Sequence, residues 1–240
     1  NIGEFIMTKL SVVFPCYNEA ENLPFLIEDC TRHLEKYSSI LEIILVNNGS
    51  NDNTETLFKT LLNKNKLFQT VRVSKNQGYG YGILKGLSIA KGEYIGWMHA
   101  DLQTDPKDII KVLDLINKKK NLYVKGQRRN RSFLDNIFTL SMSLICSITF
   151  KKIIFDINAQ PNIFPKKFFN SWKNPPNHFG LDTYCYCMAI KNNLEIIKFD
   201  VFFGKRVAGV AHLNNLQAKI KYSINAYKYI LKLKKNIGSY

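Results

Sequence analysis

Short apolar runs alternate with amphipathic segments along the first half of the chain, and this alternation restricts the fold more than any other feature. The helical patterns include residues 21–37 and a segment that ends at Ala90. The strand-like runs lie at 10–14, 41–46, 68–73, 93–98 and 122–124. Strands joined through helices by short polar loops predict an α/β fold, in which helices cover both faces of a mostly parallel, Rossmann-like sheet. The 240 residues, 45% of them hydrophobic, suffice for one sizeable core.

Polar clusters follow the first four predicted strands. In an open α/β sheet, ligands bind in the crevice beyond the carboxyl ends of the strands. Four polar loops at the same edge of the sheet therefore predict a binding pocket there. The clusters lie at 17–19, 47–52, 76–82 and 99–103.

The cluster after the fourth strand stands in the stretch GWMHADLQTDP, residues 96–106. His99, Asp101 and Gln103 are two positions apart, so their side chains point the same way if the chain stays extended. Such a set favours a metal ion or a phosphate-bearing ligand. A polar turn followed by a helix cap at Thr104 or Asp105 explains the same residues, and both interpretations stay open.

The formal net charge of +15 calls for a partner of opposite sign. Nucleic acid, an anionic membrane surface and phosphorylated small molecules all qualify. Nucleic acid is disfavoured, because the aromatic residues are not interleaved with the basic ones as a stacking surface requires. The five cysteines form no C-x-x-C pair, which argues against disulfides and a structural zinc site and favours a cytoplasmic protein.

Two segments of the second half predict unusual helices. Residues 133–150 are apolar but too short and too interrupted to span a bilayer, so they predict either a core helix or an interfacial one. Near the end, Ile220, Ile224, Tyr227 and Leu231 form one helical stripe ringed by lysines. This pattern is typical of membrane-surface binding and equally of a helix packed on its own domain. Residues 1–6 look like a remnant of cloning rather than native sequence.

Four motifs of the first half follow one another in a fixed order: SVVFPCYNEAENL, EIILVNNGSNDNT, NQGYGYGILKGL and YIGWMHADLQTDP. Together they resemble the family 2 glycosyltransferases of GT-A fold, and above all the polyprenyl- and dolichyl-phosphate sugar (mannose) synthases. The resemblance continues weakly through GQR at 126–128, DINAQPNIF at 156–164 and FDVFFGKRVAG at 199–209. It implies a GT-A catalytic domain over residues 7–215 and a basic amphipathic tail over 216–240.

The resemblance implies an inverting enzyme that moves a sugar from a UDP- or GDP-linked donor to a polyprenyl phosphate or a related glycolipid. Such an enzyme would be a peripheral protein at the inner face of the membrane, where these acceptors lie. Two alternatives stay open: transfer onto a saccharide hydroxyl in surface polysaccharide synthesis, and an inactive nucleotide-sugar-binding subunit that partners another protein. Association into a homo-oligomer also stays open.

The resemblance also implies roles for individual residues. A divalent cation, Mn²⁺ or Mg²⁺, would lie at His99, Asp101 and Gln103. The acceptor phosphate would bind at Arg128, Arg131 and Arg206. The catalytic residues would be Asp101, Arg128 and Asp182, with Asp182 as the base if the acceptor is a hydroxyl. The nucleotide sugar would be held by Pro15, Tyr17, Asn18, Glu19, Asn47, Gly49, Ser50, Asn76, Gly78, Tyr79, Ala100 and Asp101.

Three positions depart from the family pattern. Asn47 and Asn48 stand where an aspartate pair is usual, and His99 stands where another aspartate is usual. Amides still hydrogen-bond a base or a ribose hydroxyl, but they contribute no charge. An imidazole suits Mn²⁺ better than Mg²⁺, which prefers oxygen ligands. These substitutions motivate the inactive-subunit alternative.

Overall fold

The computed structural model describes residues 7–61, 65–129, 133–204 and 216–237. Within these ranges the chain forms a seven-stranded sheet and eight α-helices. The strands are β1 (Leu10–Cys16), β2 (Leu41–Asn48), β3 (Phe68–Val73), β4 (Tyr94–Trp97), β5 (Leu122–Arg129), β6 (Asn162–Pro165) and β7 (Glu195–Phe202). The helices are α1 (Leu23–Leu34), α2 (Thr54–Leu61), α3 (Tyr79–Ile89), α4 (Asp108–Lys118), α5 (Phe133–Phe150), α6 (Lys166–Asn170), α7 (Leu181–Lys191) and α8 (Leu216–Ile237).

The strands lie in the order β3-β2-β1-β4-β6-β5-β7. β6 runs antiparallel to β4 and β5, and the remaining neighbours are parallel. The strands other than β6 therefore share one direction, and their carboxyl ends meet at one edge of the sheet. The predicted α/β fold with a mostly parallel sheet is confirmed.

Apolar layers on both faces of the sheet form the core. β1 and β2 are buried on both faces, which explains why their sequences are continuous apolar runs rather than alternating ones. Val13 and Trp97 pack in the layer of α3, α5 and α7, whereas Val12 and Met98 pack in the layer of α1 and α4. The five cysteines are buried as well, as core packing predicts.

Several elements differ from the sequence prediction. α1 begins at Leu23, β4 ends at Trp97, and β5 continues to Arg129 instead of ending at Val124. The sequence pattern does not predict β6, β7, α6 or α7. β6 has four residues, and β7 is an edge strand of mostly half-buried positions without an apolar run. α7 is buried almost all round, so it lacks the one-sided pattern of a surface helix.

α5 and α8 pack against each other, and each has one buried side and one exposed apolar side. Met142, Cys146 and Phe150 of α5 are buried, as are Ile230 and Leu233 of α8. The exposed apolar stripes of the two helices, with Ile153 just beyond α5, consist of Ile137, Leu140, Leu144, Ile148, Ile153, Ile220, Ile224, Tyr227 and Leu231. The stripe predicted at 220–231 therefore faces solvent. α5 is partly a core helix, and its exposed side keeps the interfacial interpretation open.

Across the four described ranges, no helix combines the length and the apolar character that crossing a membrane requires.

Candidate functional site

Hydrogen bonds tie together the loops that follow β1 and β2 at the carboxyl edge of the sheet. The backbone N–H of Asn18 donates to Ser50 Oγ (3.0 Å), and the N–H of Asn51 donates to Asn18 Oδ1 (2.9 Å). Asn18 has a φ of 56°, a left-handed conformation that asparagine tolerates. Pro15 pairs with Val46 at the ends of the two strands. The structure thus brings predicted nucleotide-binding residues of two strands into one loop cluster.

Tyr17 and Glu19 lie between β1 and α1 in the same cluster. Tyr17 is half-buried. The N–H of Glu19 donates to Thr54 Oγ1 (3.2 Å), and the Glu19 carboxylate accepts a hydrogen bond from Asn22 Nδ2 (2.6 Å). Glu19 is therefore held where both α1 and α2 begin.

Asn47 and Asn48 end β2, and each is 3% exposed. Asn47 donates from Nδ2 to Glu55 Oε2 (2.7 Å) and accepts at Oδ1 from the N–H of Ser50 (3.0 Å). Asn48 Nδ2 donates to the carbonyl of Gly78 (3.0 Å). Its Oδ1 is buried and has no hydrogen-bond partner in the part of the chain that the structure describes. Two neutral amides thus occupy the end of β2, and the hydrogen bonds of Asn47 organise the loop.

The glycine-rich loop between β3 and α3 packs against the chain itself. Gly49 has a φ of 73°, and a Cβ there would lie 2.3 Å from the backbone nitrogen of Asn76. Gly78 has a φ of 108°, and its Cβ would lie 2.5 Å from the carbonyl oxygen of Asn177. Both positions therefore require glycine. The backbone that approaches Gly78 belongs to the segment that precedes α7.

His99, Asp101 and Gln103 lie in the turn after β4. Leu102 has a φ of 58°, and Asp101 Oδ1 accepts a hydrogen bond from the N–H of Gln103 (3.1 Å). The chain does not stay extended through Gln103, because the Asp101 carboxylate folds it into a tight turn. Asp101 is buried, whereas His99 and Gln103 are half-buried. Gln103 Nε2 donates to the carbonyl of Gly204 (3.3 Å), which lies beyond β7.

This turn fits a divalent cation that also binds a diphosphate. Within the described ranges, no cluster of three or more His, Cys, Asp or Glu side chains could hold a metal ion by itself. The turn supplies one carboxylate, one imidazole and one amide, and Ala100 between the first two is buried. Divalent-cation sites for phosphate substrates commonly use one or two carboxylates, and substrate phosphates and water complete them. The donor set of His99, Asp101 and Gln103 agrees with that chemistry.

Asp182 lies in the first turn of α7 and is 4% exposed. Its carboxylate accepts hydrogen bonds from Asn162 Nδ2 (2.9 Å), Trp97 Nε1 (3.3 Å) and the hydroxyl of Tyr79. One buried carboxylate therefore joins β6, β4 and α3 to α7. The sequence motifs single out Asp182 as a candidate base but predict none of these hydrogen bonds.

Charge couples Asp182 to its neighbours. Burial raises the pKa of Asp182, and the charges of Lys125 and His99 oppose this rise. The ring of Tyr79 stacks on Phe179 with 4.9 Å between ring centroids, and it lies 6.4 Å from the ring of His99. The structure thus brings together three residues that the sequence singled out: Tyr79, His99 and Asp182.

Arg128, at the end of β5, is paired with Asp156. Its backbone N–H donates to Asp156 Oδ2 (2.8 Å), its Nε donates to Oδ1 (3.0 Å), and its Nη2 donates to the same oxygen. Burial raises the pKa of Asp156, but the hydrogen bonds and charge of Arg128 outweigh burial and hold it below its ordinary value. The guanidinium also lies 5.4 Å from the ring centroid of Phe203. The other two arginines of the sequence prediction, Arg131 and Arg206, lie outside the described residues.

Sequence reasoning missed two polar residues that the fold buries beside Asp182. Lys125 is 0% exposed in β5, and Asn162 is 0% exposed at the start of β6. The sequence offers one signal for Lys125, because this lysine follows directly on the apolar run LYV. Asn162 offered no such signal, because the pattern does not predict β6.

An open cavity of about 640 Å³ lies beside the turn after β4, between α1 and the end of β7. Aromatic, apolar and charged side chains form its walls. Its lining includes Phe25, Asp29, Leu102, Gln103, Asp105 and Phe202. The turn at Gln103 therefore borders an open space on the side of β7.

Fold and site together define an α/β protein whose polar loops meet at the carboxyl edge of a mostly parallel sheet. The chain belongs to glycosyl transferase family 2, whose family model matches residues 11–185. This confirms the family membership that the four sequence motifs predict.

The chain is similar to undecaprenyl-phosphate 4-deoxy-4-formamido-L-arabinose transferases. The protein of Salmonella choleraesuis (strain SC-B67) is 32% identical over 145 residues, which are 60% of this chain and 43% of that protein. The protein of Salmonella paratyphi B (strain ATCC BAA-1250 / SPB7) is 31% identical over 145 residues. This chain thus spans less than half the length of the curated relatives it matches.

Solved glycosyltransferases share the fold. Glucosyl-3-phosphoglycerate synthase from Mycobacterium tuberculosis, in complex with Mn²⁺, UDP and glucosyl-3-phosphoglycerate, superposes with a TM-score of 0.69 at 16% identity. That match covers 93% of this chain and 80% of the synthase. A mannosyltransferase from Pyrobaculum calidifontis, in complex with GDP-mannose and Mn²⁺, has a TM-score of 0.63 at 16% identity over 96% of this chain and 70% of its own. The GT-A fold expected from the sequence is confirmed.

Proposed function

We propose that this chain transfers a sugar, with inversion, from a UDP- or GDP-linked donor to a polyprenyl phosphate at a membrane surface. Membership of the family and the acceptor named for its Salmonella relatives support the proposal. The surroundings of Asp182 are the observation that favours a phosphate acceptor over a sugar hydroxyl. Its buried carboxylate already accepts three hydrogen bonds, which is a poor arrangement for a base that must reach a sugar hydroxyl. A lipid phosphate arrives ionised and needs no such base.

The donor would lie across the loops at the carboxyl ends of β1, β2 and β4. In this arrangement the cluster around Asn18 and Ser50 binds the base and ribose, and the turn of His99 and Asp101 faces the diphosphate. A divalent cation held there would neutralise charge on the leaving nucleoside diphosphate. Mn²⁺ in the two solved relatives and the imidazole of His99 both favour Mn²⁺.

Arg128 would hold the acceptor phosphate. Its pairing with Asp156 uses Nε and Nη2 and fixes the direction of the guanidinium, so the phosphate would bind the remaining N–H donors. Arg131 and Arg206 are proposed to share this role on the basis of the sequence alone. An acceptor phosphate held in line with the anomeric carbon gains most of its rate from orientation.

We also propose that the chain contacts the membrane peripherally through the exposed apolar stripes of α5 and α8. Ile148 is 69% exposed and Ile153 is 95% exposed. Exposed lysines lie beside these stripes, and they are Lys151, Lys152, Lys228, Lys232, Lys234 and Lys235. Lysines next to exposed apolar side chains suit an anionic lipid surface. The side of the membrane and the oligomeric state stay predictions from the sequence.

A transfer assay tests the proposal. Purified protein is incubated with UDP- and GDP-sugars, with Mn²⁺ or Mg²⁺, and with liposomes that either contain or lack polyprenyl phosphate. We expect sugar–lipid product only when donor, cation and polyprenyl phosphate are all present, and we expect Asp101→Ala to abolish it while the protein stays folded. Product on saccharide acceptors alone would contradict the lipid assignment. Donor binding without any turnover would favour the inactive-subunit alternative.

A further inference from the structure

Three residues on neighbouring strands form a row on one face of the sheet. Asn162 of β6 is the register partner of Trp97 in β4 and of Lys125 in β5. Side chains at paired positions of adjacent strands point to the same face. The carboxylate of Asp182 reaches this row from α7, where it accepts hydrogen bonds from Trp97 and Asn162.

Hydrogen bonds fix the amide of Asn162 in one orientation. Its Oδ1 accepts from Lys125 Nζ (2.9 Å) and from Tyr123 Oη (2.6 Å). Because two donors occupy the oxygen, the NH₂ group faces the other way, and it donates to Asp182 Oδ1 (2.9 Å). Lys125 therefore acts on Asp182 in two ways, through this bonded amide and through its charge.

The ammonium of Lys125 is fully buried and fully hydrogen-bonded. It donates to the carbonyls of Ile157 and Ala159 (2.6 Å each) as well as to Asn162. Burial lowers the pKa of Lys125 to about 8. Burying a charge costs free energy that an apolar side chain of similar length would not cost. Stability alone therefore does not explain a lysine at this position.

We propose that Lys125 is a positioning residue that acts through Asn162 to hold Asp182 in place, and that Asp182 in turn orients His99 and Tyr79 at the donor site. This inference rests on the proposed function, in which His99 and Asp101 bind a divalent cation. A metal-binding histidine commonly donates its second N–H to a carboxylate. Asp182 is the buried carboxylate on this side of the turn: it accepts a hydrogen bond from Tyr79, whose ring lies 6.4 Å from the ring of His99, and its charge interacts with His99. Loss of such a supporting partner typically weakens metal affinity about 10–100-fold.

The test compares Lys125→Met with a matched control, Lys198→Met. Lys198 lies on the neighbouring strand β7, is half-buried and donates to the carbonyl of Phe155 (3.0 Å). Both ammonium groups lie over the ring of Tyr186, at 5.3 Å for Lys198 and 5.9 Å for Lys125. This hydrogen bond of Lys198 goes to Phe155 rather than to Asn162. The control thus removes a similar lysine from the same surroundings and leaves the row intact.

Three quantities are measured for each variant: Mn²⁺ affinity in the presence of UDP or GDP, by electron paramagnetic resonance; the melting temperature; and kcat and KM for the donor. We expect Lys125→Met to bind Mn²⁺ at least about tenfold more weakly. At saturating Mn²⁺ its KM should change more than its kcat. Lys198→Met should keep its Mn²⁺ affinity within about twofold, even if its melting temperature falls.

A second variant, Asp182→Asn, keeps the inference testable should Lys125→Met fail to fold. It preserves side-chain volume and should weaken Mn²⁺ affinity to a similar extent. The double variant should lose little more than either single one, because the two residues act through one chain of contacts.

The positioning role would be overturned if Lys125→Met kept wild-type Mn²⁺ affinity and lost only melting temperature. Unchanged Mn²⁺ affinity in Asp182→Asn would overturn it as well. A wild-type protein that binds no Mn²⁺ with any nucleotide would overturn the proposed function and this inference together. Wild-type binding that no variant weakens would remove this inference alone.

Discussion

His99 changes the chemistry of the turn after β4, because an imidazole stands where relatives of this family usually have a carboxylate. Its ring is half-buried, lies near Tyr79, and interacts with the charge of Asp182. Imidazole nitrogen suits Mn²⁺ better than Mg²⁺, which prefers oxygen ligands. At the residue scale, the metal preference that we propose would therefore depend on the side chain of His99.

We predict that His99→Asp shifts the metal preference from Mn²⁺ toward Mg²⁺ and keeps transfer activity. The new carboxylate supplies the oxygen that Mg²⁺ prefers. The measurement is the ratio of the transfer rates with the two cations, over a titration of each. Asp101→Ala is the control, because it should lose activity with both. An unchanged ratio in His99→Asp would contradict coordination of the cation by His99.

We predict that Asp156 makes the stability of the protein fall at acid pH. The folded pKa of Asp156 lies below its unfolded value of about 3.9, so its contribution is complete above that value and is lost as the pH falls through the folded pKa. Asp156→Asn should lower the free energy of unfolding at pH 7 by about 3 kcal/mol or more, because Arg128 loses a buried partner. The same variant should show a smaller further loss between pH 5 and about 2 than the wild type.

Denaturant unfolding at a series of pH values measures both effects. Asp200→Asn is the matched control, since Asp200 and Arg129 form an exposed pair one residue along β5. Removing that pair should change stability by less than about 1 kcal/mol. The left-handed φ of 50° at Asp156 is compatible with asparagine, so the substitution does not strain the backbone. Equal pH dependence in Asp156→Asn and the wild type would contradict the prediction.

Elements with a strong local pattern could be predicted from the sequence, and elements defined by distant contacts could not. β3 is predicted at 68–73 with its observed bounds. β6 is only four residues long and pairs with β4 and β5, both far away in sequence, so nothing local identifies it. The same distinction applies to the candidate site. Loops at one sheet edge follow from the order of strands, but the bond from Lys125 to Asn162 spans 37 positions and depends on the unpredicted strand.

α5 and α8 offer a prediction at the scale of helices. We predict that Leu144→Glu combined with Ile148→Glu reduces binding to anionic vesicles at least about tenfold, since each buried apolar side chain contributes about 1.5–3 kcal/mol. Leu144 is 61% exposed and Ile148 is 69% exposed, so the fold should survive. Ile89→Glu is the control, because Ile89 is an exposed apolar residue at the end of α3. Co-sedimentation with vesicles that contain phosphatidylglycerol measures the effect, and equal binding by all three proteins would contradict it.

At the scale of the whole molecule, the charge of +15 and the apolar stripes act at different distances. Charge would attract the protein to an anionic surface over about 10 Å at 0.1 M salt, whereas the apolar side chains would stabilise the proposed complex only on contact. Held at the surface in this way, the proposed enzyme would meet an acceptor whose headgroup is an ionised phosphate. The same positive charge would give no advantage toward a neutral saccharide in solution.

A lipid-phosphate acceptor and a sugar-hydroxyl acceptor predict opposite effects for two substitutions, Asp182→Asn and Arg206→Ala. We predict both effects on liposomes that carry polyprenyl phosphate. Asp182→Asn should lose less than about tenfold in turnover at saturating Mn²⁺, because a phosphate acceptor has no proton to give up, whereas removing a general base costs about 10²–10⁴-fold. Arg206→Ala should lose far more, since an anionic headgroup would be left unpaired. Arg129→Ala, which removes an exposed arginine paired with Asp200, is the control and should stay near the wild-type rate. A collapse of Asp182→Asn with Arg206→Ala nearly intact would reject the lipid phosphate and favour a sugar hydroxyl.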